Sequence, residues 1–183
     1  MTLIELIVFV VIVSVALAGV LTVLNITSRT SADPMIRKQA LAVAESVLEE
    51  VMLQPFTWCD PNDRSAATAT SATLDGTATD ITKCWDALEG IGKETVATVA
   101  ESRGHATSPL DNVSDYHGEA ISTSISGTSA TPYVANVSVA AAALNDITAA
   151  SGAALLITVS VTAAGETIQL QAYRTRYAPS YLP

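Results

Sequence analysis

The feature that most constrains the fold is a long stretch near the start of the chain that carries no charge. Residues 6–28 include no Asp, Glu, Lys or Arg, and most of them are large and apolar. Residues 1–24 would form a helix about 36 Å long at about 1.5 Å per residue, enough for a hydrocarbon core about 30 Å thick. The rest of the 183 residues are rich in Ala, Thr and Ser. We therefore expect one membrane-spanning stalk and one soluble head.

Charge and cysteine content limit what the head can bind. The net charge is −9, and there is no basic cluster beyond the pair Arg37 and Lys38. Because a nucleic-acid phosphate backbone needs a basic surface, we do not expect nucleic acid as a direct partner. Cys59 and Cys84 show neither a CxxC pattern nor the spacing of metal ligands. We expect them to form a disulfide, provided that the head lies outside the cytoplasm.

The charges around the stalk do not fit an ordinary signal peptide or signal anchor. No basic residue precedes Arg29, whereas a secretory signal begins with a basic region. If Met1 were the translational start, the basic residues that follow the stalk would favour a cytoplasmic head, which conflicts with the expected disulfide. The conflict disappears if a short basic leader preceded Met1 and was removed. We therefore expect Met1 to be the first residue of a processed chain, with a free or modified amine.

Glu5 is an ionisable residue near the start of this apolar segment. An unpaired charge at membrane depth costs several kcal/mol, so Glu5 needs either water or a partner. One interpretation is that Glu5 lies near the end of the span and reaches the membrane interface. The other is that its carboxylate meets a positive amine, and the nearest amine of the right kind is the α-amino group of Met1 in a neighbouring chain.

The residues around Glu5 carry a family resemblance. Residues 2–6, Thr-Leu-Ile-Glu-Leu, continue directly into the apolar segment and resemble the mature N-terminus of type IV pilins and type II secretion pseudopilins. The resemblance implies that a prepilin peptidase removes a leader ending in Gly, that Met1 is then N-methylated, and that Glu5 neutralises the first residue of an adjacent subunit. The family usually begins with Phe, so Met1 departs from its pattern. Residues 31–34 and 37–51 resemble minor pilins and pseudopilins, including those of mannose-sensitive haemagglutinin pilus clusters.

The resemblance implies a structural role and no cofactor. The chain would be a subunit of an extracellular type IV pilus filament that polymerises through its hydrophobic N-terminal helix. Its partners would be copies of itself or other pilins, the prepilin peptidase, the inner-membrane assembly machinery and, before assembly, the membrane. Until assembly the protein would be a single-pass protein of the bacterial inner membrane with a periplasmic head. Two alternatives stay open: a minor or tip adhesin-like pilin, and a type II secretion pseudopilin with a binding or priming role.

Proline and glycine mark two positions along the stalk. Asp33 followed by Pro34 is typical of a helix start, so we expect the helix to bend or restart there. Gly19 weakens a helix by about 1 kcal/mol relative to Ala. The resemblance implies that residues 15–22 unwind in the assembled filament, and close packing of helices at Gly19 is the alternative. In residues 35–53 apolar side chains recur every three to four residues, which predicts an amphipathic helix. These side chains are Ile36, Ala40, Val43, Val47 and Val51.

Loops and then strands are predicted after the helix. Pro55 should end the helix, and residues 56–108 show no clear periodicity. Residues 133–139 and 155–161 alternate as half-buried strands do, and Gly165 should connect the second of them to residues 168–173 in a hairpin. We expect an α+β pilin fold in which the long helix, apolar and then amphipathic, packs on a C-terminal antiparallel sheet of about four strands. The expected segments are the stalk at 1–30, the amphipathic helix at 31–54, a loop-rich disulfide region at 55–110 and the sheet region at 111–183.

The head contains only weak candidates for ligand sites. Asp111 and Asp115 offer oxygen ligands that calcium could use, but the spacing is not that of an EF-hand, and a turn held by Asx hydrogen bonds is the favoured interpretation. His105 and His117 have no His or Cys at ligand spacing and are expected at the surface. The sequence contains no Gly-rich phosphate loop, GxSxG or HExxH motif. We therefore predict neither a metal site nor an enzyme.

Overall fold

The computed structural model describes residues 2–77, 79–96, 99–124, 133–163 and 165–176, with the backbone only for residues 28–33 and 96. Met1 lies outside the described residues. Within these ranges a long helix is followed by six strands and two short 3-10 helices, Ser114–Tyr116 and Ala149–Ser151. The chain divides into two compact units, Met1–Gln39 and Ala40–Pro183.

Helix α1 comprises Leu3–Leu53. Pro34 lies inside this helix, so the expected restart at Asp33 and Pro34 is wrong, whereas the alternative, a bend at Pro34, stays a prediction. A proline removes one backbone N–H and costs about 3 kcal/mol in a helix interior. The neighbouring residues continue the hydrogen-bonded helix on both sides, and this offsets the local loss. The helix ends where it was predicted to end, because Pro55 disfavours the helical conformation of the residue before it.

In the second unit, α1 buries one face. The buried residues of this face are Ala40, Val43, Ala44, Val47 and Val51. Ile36, the first predicted residue of the face, belongs to the first unit and is half-buried. The predicted amphipathic half is therefore confirmed in the second unit. Several hydrogen bonds join the end of the helix to the head. The Tyr116 hydroxyl donates to Glu50 Oε1 at 3.0 Å, the Arg103 guanidinium donates to both oxygen atoms of Glu50, and Arg174 Nη2 donates to the carbonyl oxygen of Gln54, just after the helix, at 3.4 Å.

The main sheet has four antiparallel strands in the order β3-β4-β5-β6. Its strands are β3 (Ala120–Thr123), β4 (Tyr133–Ala141), β5 (Ala154–Ala163) and β6 (Glu166–Thr175). The predicted alternation is confirmed, because every second residue over most of β4 and of β5 is buried. Val137 pairs with Val159, and Ala135 pairs with Val161, so the apolar residues of the two strands share one face. The α+β class is confirmed: the part of α1 from Ala40 to Leu53 belongs to the same compact unit as this sheet, and the arrangement is consistent with the fold expected of pilins.

A tight hairpin joins the last two strands, as predicted. Ala163 pairs with Glu166, which leaves two residues for the connection. Gly165 has φ of 85°, a left-handed conformation that side chains other than glycine adopt at a cost. The hairpin therefore fixes the register of β5 against β6 over ten residue pairs.

The loop-rich region between the helix and the sheet contains one small sheet, formed by β1 (Thr95–Val96) and β2 (Val99–Ala100). The predicted disulfide between Cys59 and Cys84 is present, and both cysteines are fully buried. Trp58 packs against the buried cluster that contains them. Much of this region is thus held by a covalent bond and by side-chain hydrogen bonds, because it has few strand ladders.

Candidate functional site

The first part of α1 is the most unusual surface of the protein. The segment Leu3–Thr27 is long and apolar enough to cross a membrane. Its most apolar 18-residue window has a mean hydropathy of 3.0, and none of that window is buried. Phe9 is 65% exposed and Leu21 is 66% exposed. Monomeric soluble proteins rarely expose apolar patches larger than a few hundred Å². This surface therefore requires a lipid or protein environment that covers it.

Hydroxyl groups in this segment donate to the helix itself. Ser14 Oγ donates to the carbonyl oxygen of Val10 at 2.7 Å, and Thr22 Oγ1 donates to that of Ala18 at 2.8 Å. These bonds satisfy the hydroxyl protons without water. A helix whose polar side chains are paired in this way can lie in hydrocarbon at low cost, since its backbone groups are paired as well.

Glu5 lies in the first turn of α1 with its side chain exposed. The backbone N–H of Thr2 donates to Glu5 Oε2 over a long distance of 3.4 Å. The positive end of the helix dipole favours a carboxylate at this position. The long hydrogen bond leaves the carboxylate with capacity for a stronger, charged donor. The predicted donor, the amine of Met1 in another subunit, lies outside the described residues and stays a prediction.

Gly19 and Pro34 both lie within the continuous helix. A Cβ atom added at Gly19 would meet nothing within 4 Å, so packing within this chain does not require a glycine there. Both interpretations of Gly19, close packing against another chain and unwinding on assembly, therefore concern the assembled state. The predicted unwinding of residues 15–22 is not a feature of the single chain, where these residues are helical.

Asp111 and Asp115 lie beside and within the short 3-10 helix Ser114–Tyr116. Asp115 Oδ2 accepts hydrogen bonds from the backbone N–H groups of Asp111, at 2.9 Å, and Asn112, at 2.6 Å. A side-chain oxygen therefore holds this turn, but it accepts from preceding residues and not from the residue two positions on, as in an Asx turn. Burial and nearby carboxylates raise the pKa of Asp111 to about 6. Burial likewise raises the pKa of Asp115. His105 and His117 are exposed, as expected.

Sequence reasoning missed four further acidic residues that the fold brings close to Asp111 and Asp115. They are Asp60, Glu89, Glu94 and Glu101. They are scattered along the loop-rich region, so no local spacing marks them as one group. A heptad repeat, a strand alternation or a short ligand motif can be recognised in a sequence. Contacts between distant loops cannot, because they depend on the tertiary fold.

Comparisons with known proteins identify no relative. No protein-family model matches the chain, and neither a curated protein nor a solved structure matches it. The function must therefore be argued from the residues of this chain and from their arrangement.

Proposed function

We propose that this chain is a structural subunit of an extracellular type IV pilus filament. In this proposal the subunits polymerise through the apolar part of α1, and Glu5 of one subunit neutralises the N-terminal amine, at Met1, of a neighbour. The observation that carries the proposal is the segment Leu3–Thr27, which is apolar all round and which no other part of the described chain covers. The role requires no catalytic step by this chain and no cofactor.

Removing the apolar helix from water stabilises both the membrane-inserted state and the assembled state of the protein. Each large apolar side chain gains about 1.5–3 kcal/mol when it leaves water. Before assembly, lipid covers the helix, which is long enough to span the bilayer. In the filament, the helices of neighbouring subunits cover one another. The chain can therefore leave the membrane without exposing this surface to water. Its partners in this process are the prepilin peptidase and the inner-membrane assembly machinery.

Glu5 gives the assembly a preferred register. Hydrophobic stacking alone does not distinguish one axial position of a uniformly apolar helix from another. A carboxylate buried among such helices costs several kcal/mol unless it is paired. The Coulomb attraction of an amine about 4 Å away contributes about 4 kcal/mol at an effective dielectric constant of about 20. One charged pair per contact therefore favours the register in which Glu5 meets the first residue of the next subunit.

The test compares Glu5→Gln with Glu45→Gln in cells that have the assembly machinery. Glu45 is an exposed acidic residue on the same helix but outside the apolar segment, so it is a matched control. We expect Glu5→Gln to remain in the membrane fraction while the yield of sheared filaments falls by at least about tenfold, because the charge pair is lost. Glu45→Gln should give the wild-type yield. A wild-type filament yield from Glu5→Gln would refute the assembly mechanism.

The abundance of the chain distinguishes the main proposal from the alternatives. A major subunit forms the bulk of purified filaments, whereas a tip adhesin or a minor pilin is scarce in them. A type II secretion pseudopilin would be needed for secretion of substrate proteins. All three share the apolar helix and Glu5, so the test of Glu5 applies to each of them.

A further inference from the structure

Six carboxylates from separate loops meet in the head. We call them the acidic cluster: Asp60, Glu89, Glu94, Glu101, Asp111 and Asp115. Their oxygen atoms form three overlapping groups of three, and within each group the atoms lie within 4.8 Å of one another. Glu94, Glu101 and Asp115 each belong to two of the groups, which joins all six residues into one cluster. Asp60, Glu101 and Asp115 are buried.

Donors from the protein hold one oxygen atom of several of these carboxylates. Glu94 Oε1 accepts from the backbone N–H of Gly90 at 2.9 Å, and Glu101 Oε2 accepts from that of Glu94 at 3.1 Å. Glu89 Oε1 accepts from the hydroxyl of Ser114 at 2.6 Å. Asp60 Oδ1 accepts from a backbone N–H in its own loop. The side chains are therefore fixed in position by bonds that leave their second oxygen atoms available.

The second oxygen of Asp115 accepts no hydrogen bond from an amide or a hydroxyl group. Asp115 is 1% exposed, its Oδ2 is occupied by two backbone N–H groups, and its Oδ1 is buried without a hydrogen-bond partner. Glu89 Oε2 and Asp111 Oδ1 are likewise buried without a hydrogen-bond partner. The carboxyl groups of Asp115 and Glu89 lie within hydrogen-bonding distance of each other, a contact between two acids that requires either a shared proton or a cation. A buried carboxylate oxygen without an N–H or hydroxyl donor is costly, and a cation bound between these carboxylates would remove that cost.

No salt bridge neutralises the cluster within the described part of the chain. The ion pairs found there join Lys83 to Asp80, Lys93 to Glu119 and Arg103 to Glu50, and none of these acids belongs to the cluster. Burial, together with neighbouring carboxylates, raises the pKa of Glu94 to about 7. The same causes raise the pKa of Glu89. The head thus concentrates negative charge at a place where no ion pair offsets it.

Arg176, whose positive charge interacts with Glu89, packs against aromatic rings and not against the acidic cluster. Arg176 and Glu89 attract each other, but the structure places no hydrogen bond or salt bridge between them in its described residues. The guanidinium of Arg176 stacks instead on the rings of Phe56 and Trp58, 3.8 Å from each centroid. This attraction therefore offsets part of the charge of one member of the cluster and supplies no donor to Asp115.

We propose that the acidic cluster binds at least one calcium ion, with Asp115 as its central ligand. All six side chains offer oxygen, which hard cations prefer, and the cluster offers neither imidazole nor thiolate. Calcium accepts six to eight oxygen ligands at about 2.3–2.6 Å in flexible geometry, so two of its ligands can lie up to about 5 Å apart. The oxygen atoms of each group, which lie within 4.8 Å of one another, fall inside this limit. Magnesium requires a regular octahedron at about 2.0–2.1 Å, which loops of irregular conformation do not supply as readily.

The ion would hold the loop-rich region together. Asp60 follows the disulfide residue Cys59, whereas Glu101 follows the small sheet and Asp115 lies in a 3-10 helix near the main sheet. A bound ion therefore connects segments that few backbone ladders join. The site is independent of the assembly mechanism, because it uses no residue of α1.

The test measures metal binding and thermal unfolding of the full chain in detergent after chelator treatment and dialysis. The probes are CaCl2 and MgCl2, added separately at equal concentrations. We expect calcium to raise the Tm by about 5 °C or more at saturation. Titration calorimetry should give a Kd of about 10⁻⁴ M or tighter, in the range of extracellular calcium sites and sensors. Magnesium should produce a much smaller shift of the Tm.

The decisive variants are Asp115→Asn and the matched control Asp86→Asn, an exposed acidic residue of the same region. Asp115→Asn should lower calcium affinity at least tenfold, while Asp86→Asn should bind like wild type. If Asp115→Asn does not fold, as judged by circular dichroism, Glu94→Gln replaces it with the same expected loss. The proposal is overturned if wild type shows neither heat nor a Tm shift with millimolar calcium, if magnesium acts equally, or if the folded cluster variant binds calcium normally.

Discussion

Removing the disulfide should cost the head about 3.5 kcal/mol of unfolding free energy. Cys59 and Cys84 are separated by 25 positions in the sequence. For a loop of that length, the reduction of chain entropy in the unfolded state corresponds to about 3.5 kcal/mol at 25 °C. The variant combines Cys59→Ala with Cys84→Ala, because both positions are fully buried and alanine adds no polar group there.

Hydrogen bonds of the folded state should keep the native loop in place without the disulfide. Asp63 Oδ2 accepts hydrogen bonds from the backbone N–H groups of Asp86, at 2.9 Å, and Ala87, at 3.1 Å. These bonds connect the same two segments that the cysteines join. The variant should therefore lose stability through its less constrained unfolded state, while its folded state keeps the same local conformation.

The assay is urea unfolding followed by tryptophan fluorescence, since Trp58 and Trp85 adjoin the two cysteines. With a slope of about 1–3 kcal/mol per M, the midpoint should fall by about 1–3 M. Wild type reduced with a thiol should unfold at the midpoint of the variant. A shift below about 0.3 M, equivalent to less than about 1 kcal/mol, would refute the reasoning, because it would mean that the unfolded loop is restrained by other means.

Two further predictions concern the core and the pH dependence of the head. Ile157→Ala should lower the unfolding free energy by about 2–5 kcal/mol because this side chain is fully buried, whereas Leu53→Ala, at a residue 84% exposed, should change it by less than about 0.5 kcal/mol; similar losses in urea titrations would contradict this. Hydrogen bonding from Arg103, opposed by burial, lowers the pKa of Glu50 below its ordinary value of 4.5. The contact therefore stabilises the head above the pKa that Glu50 has in the unfolded chain, and this stability is lost as the pH falls through the lowered pKa of the folded state. Glu50→Gln should thus cost at most about 1 kcal/mol at pH 7 and progressively less in acid, and thermal melts showing a cost that is unchanged by pH would contradict this.

Local sequence patterns predicted much of the fold because the features concerned are local. Strands β4 and β5 are nine and ten residues long, and their apolar residues alternate over most of that length. Gly165 lies between β5 and β6, and a glycine between two strands that are separated by two residues is typical of a hairpin. The apolar and amphipathic halves of α1 were visible for the same reason. Each pattern extends over enough residues to outweigh chance.

Features that depend on short segments or on distant contacts were not predicted. Strand β3 has four residues, and β1 and β2 have two each, which is too short for a pattern. Local propensity favours a helix start at Pro34, but the continuing helix outweighs the loss of one hydrogen bond. The acidic cluster joins residues as far apart as Asp60 and Asp115, and only the folded loops bring their carboxylates together.

The most direct test of the account is an electron cryomicroscopy density map of filaments purified from cells that express this chain, at a resolution that shows side chains. We expect this chain to be the repeating unit, with Leu3–Thr27 in the filament core. The Glu5 carboxylate should lie about 3 Å from the N-terminal amine of a neighbouring subunit. A map in which this chain repeats with Glu5 facing solvent would contradict the proposed contact. Filaments built from a different chain would contradict the assignment as the main structural subunit.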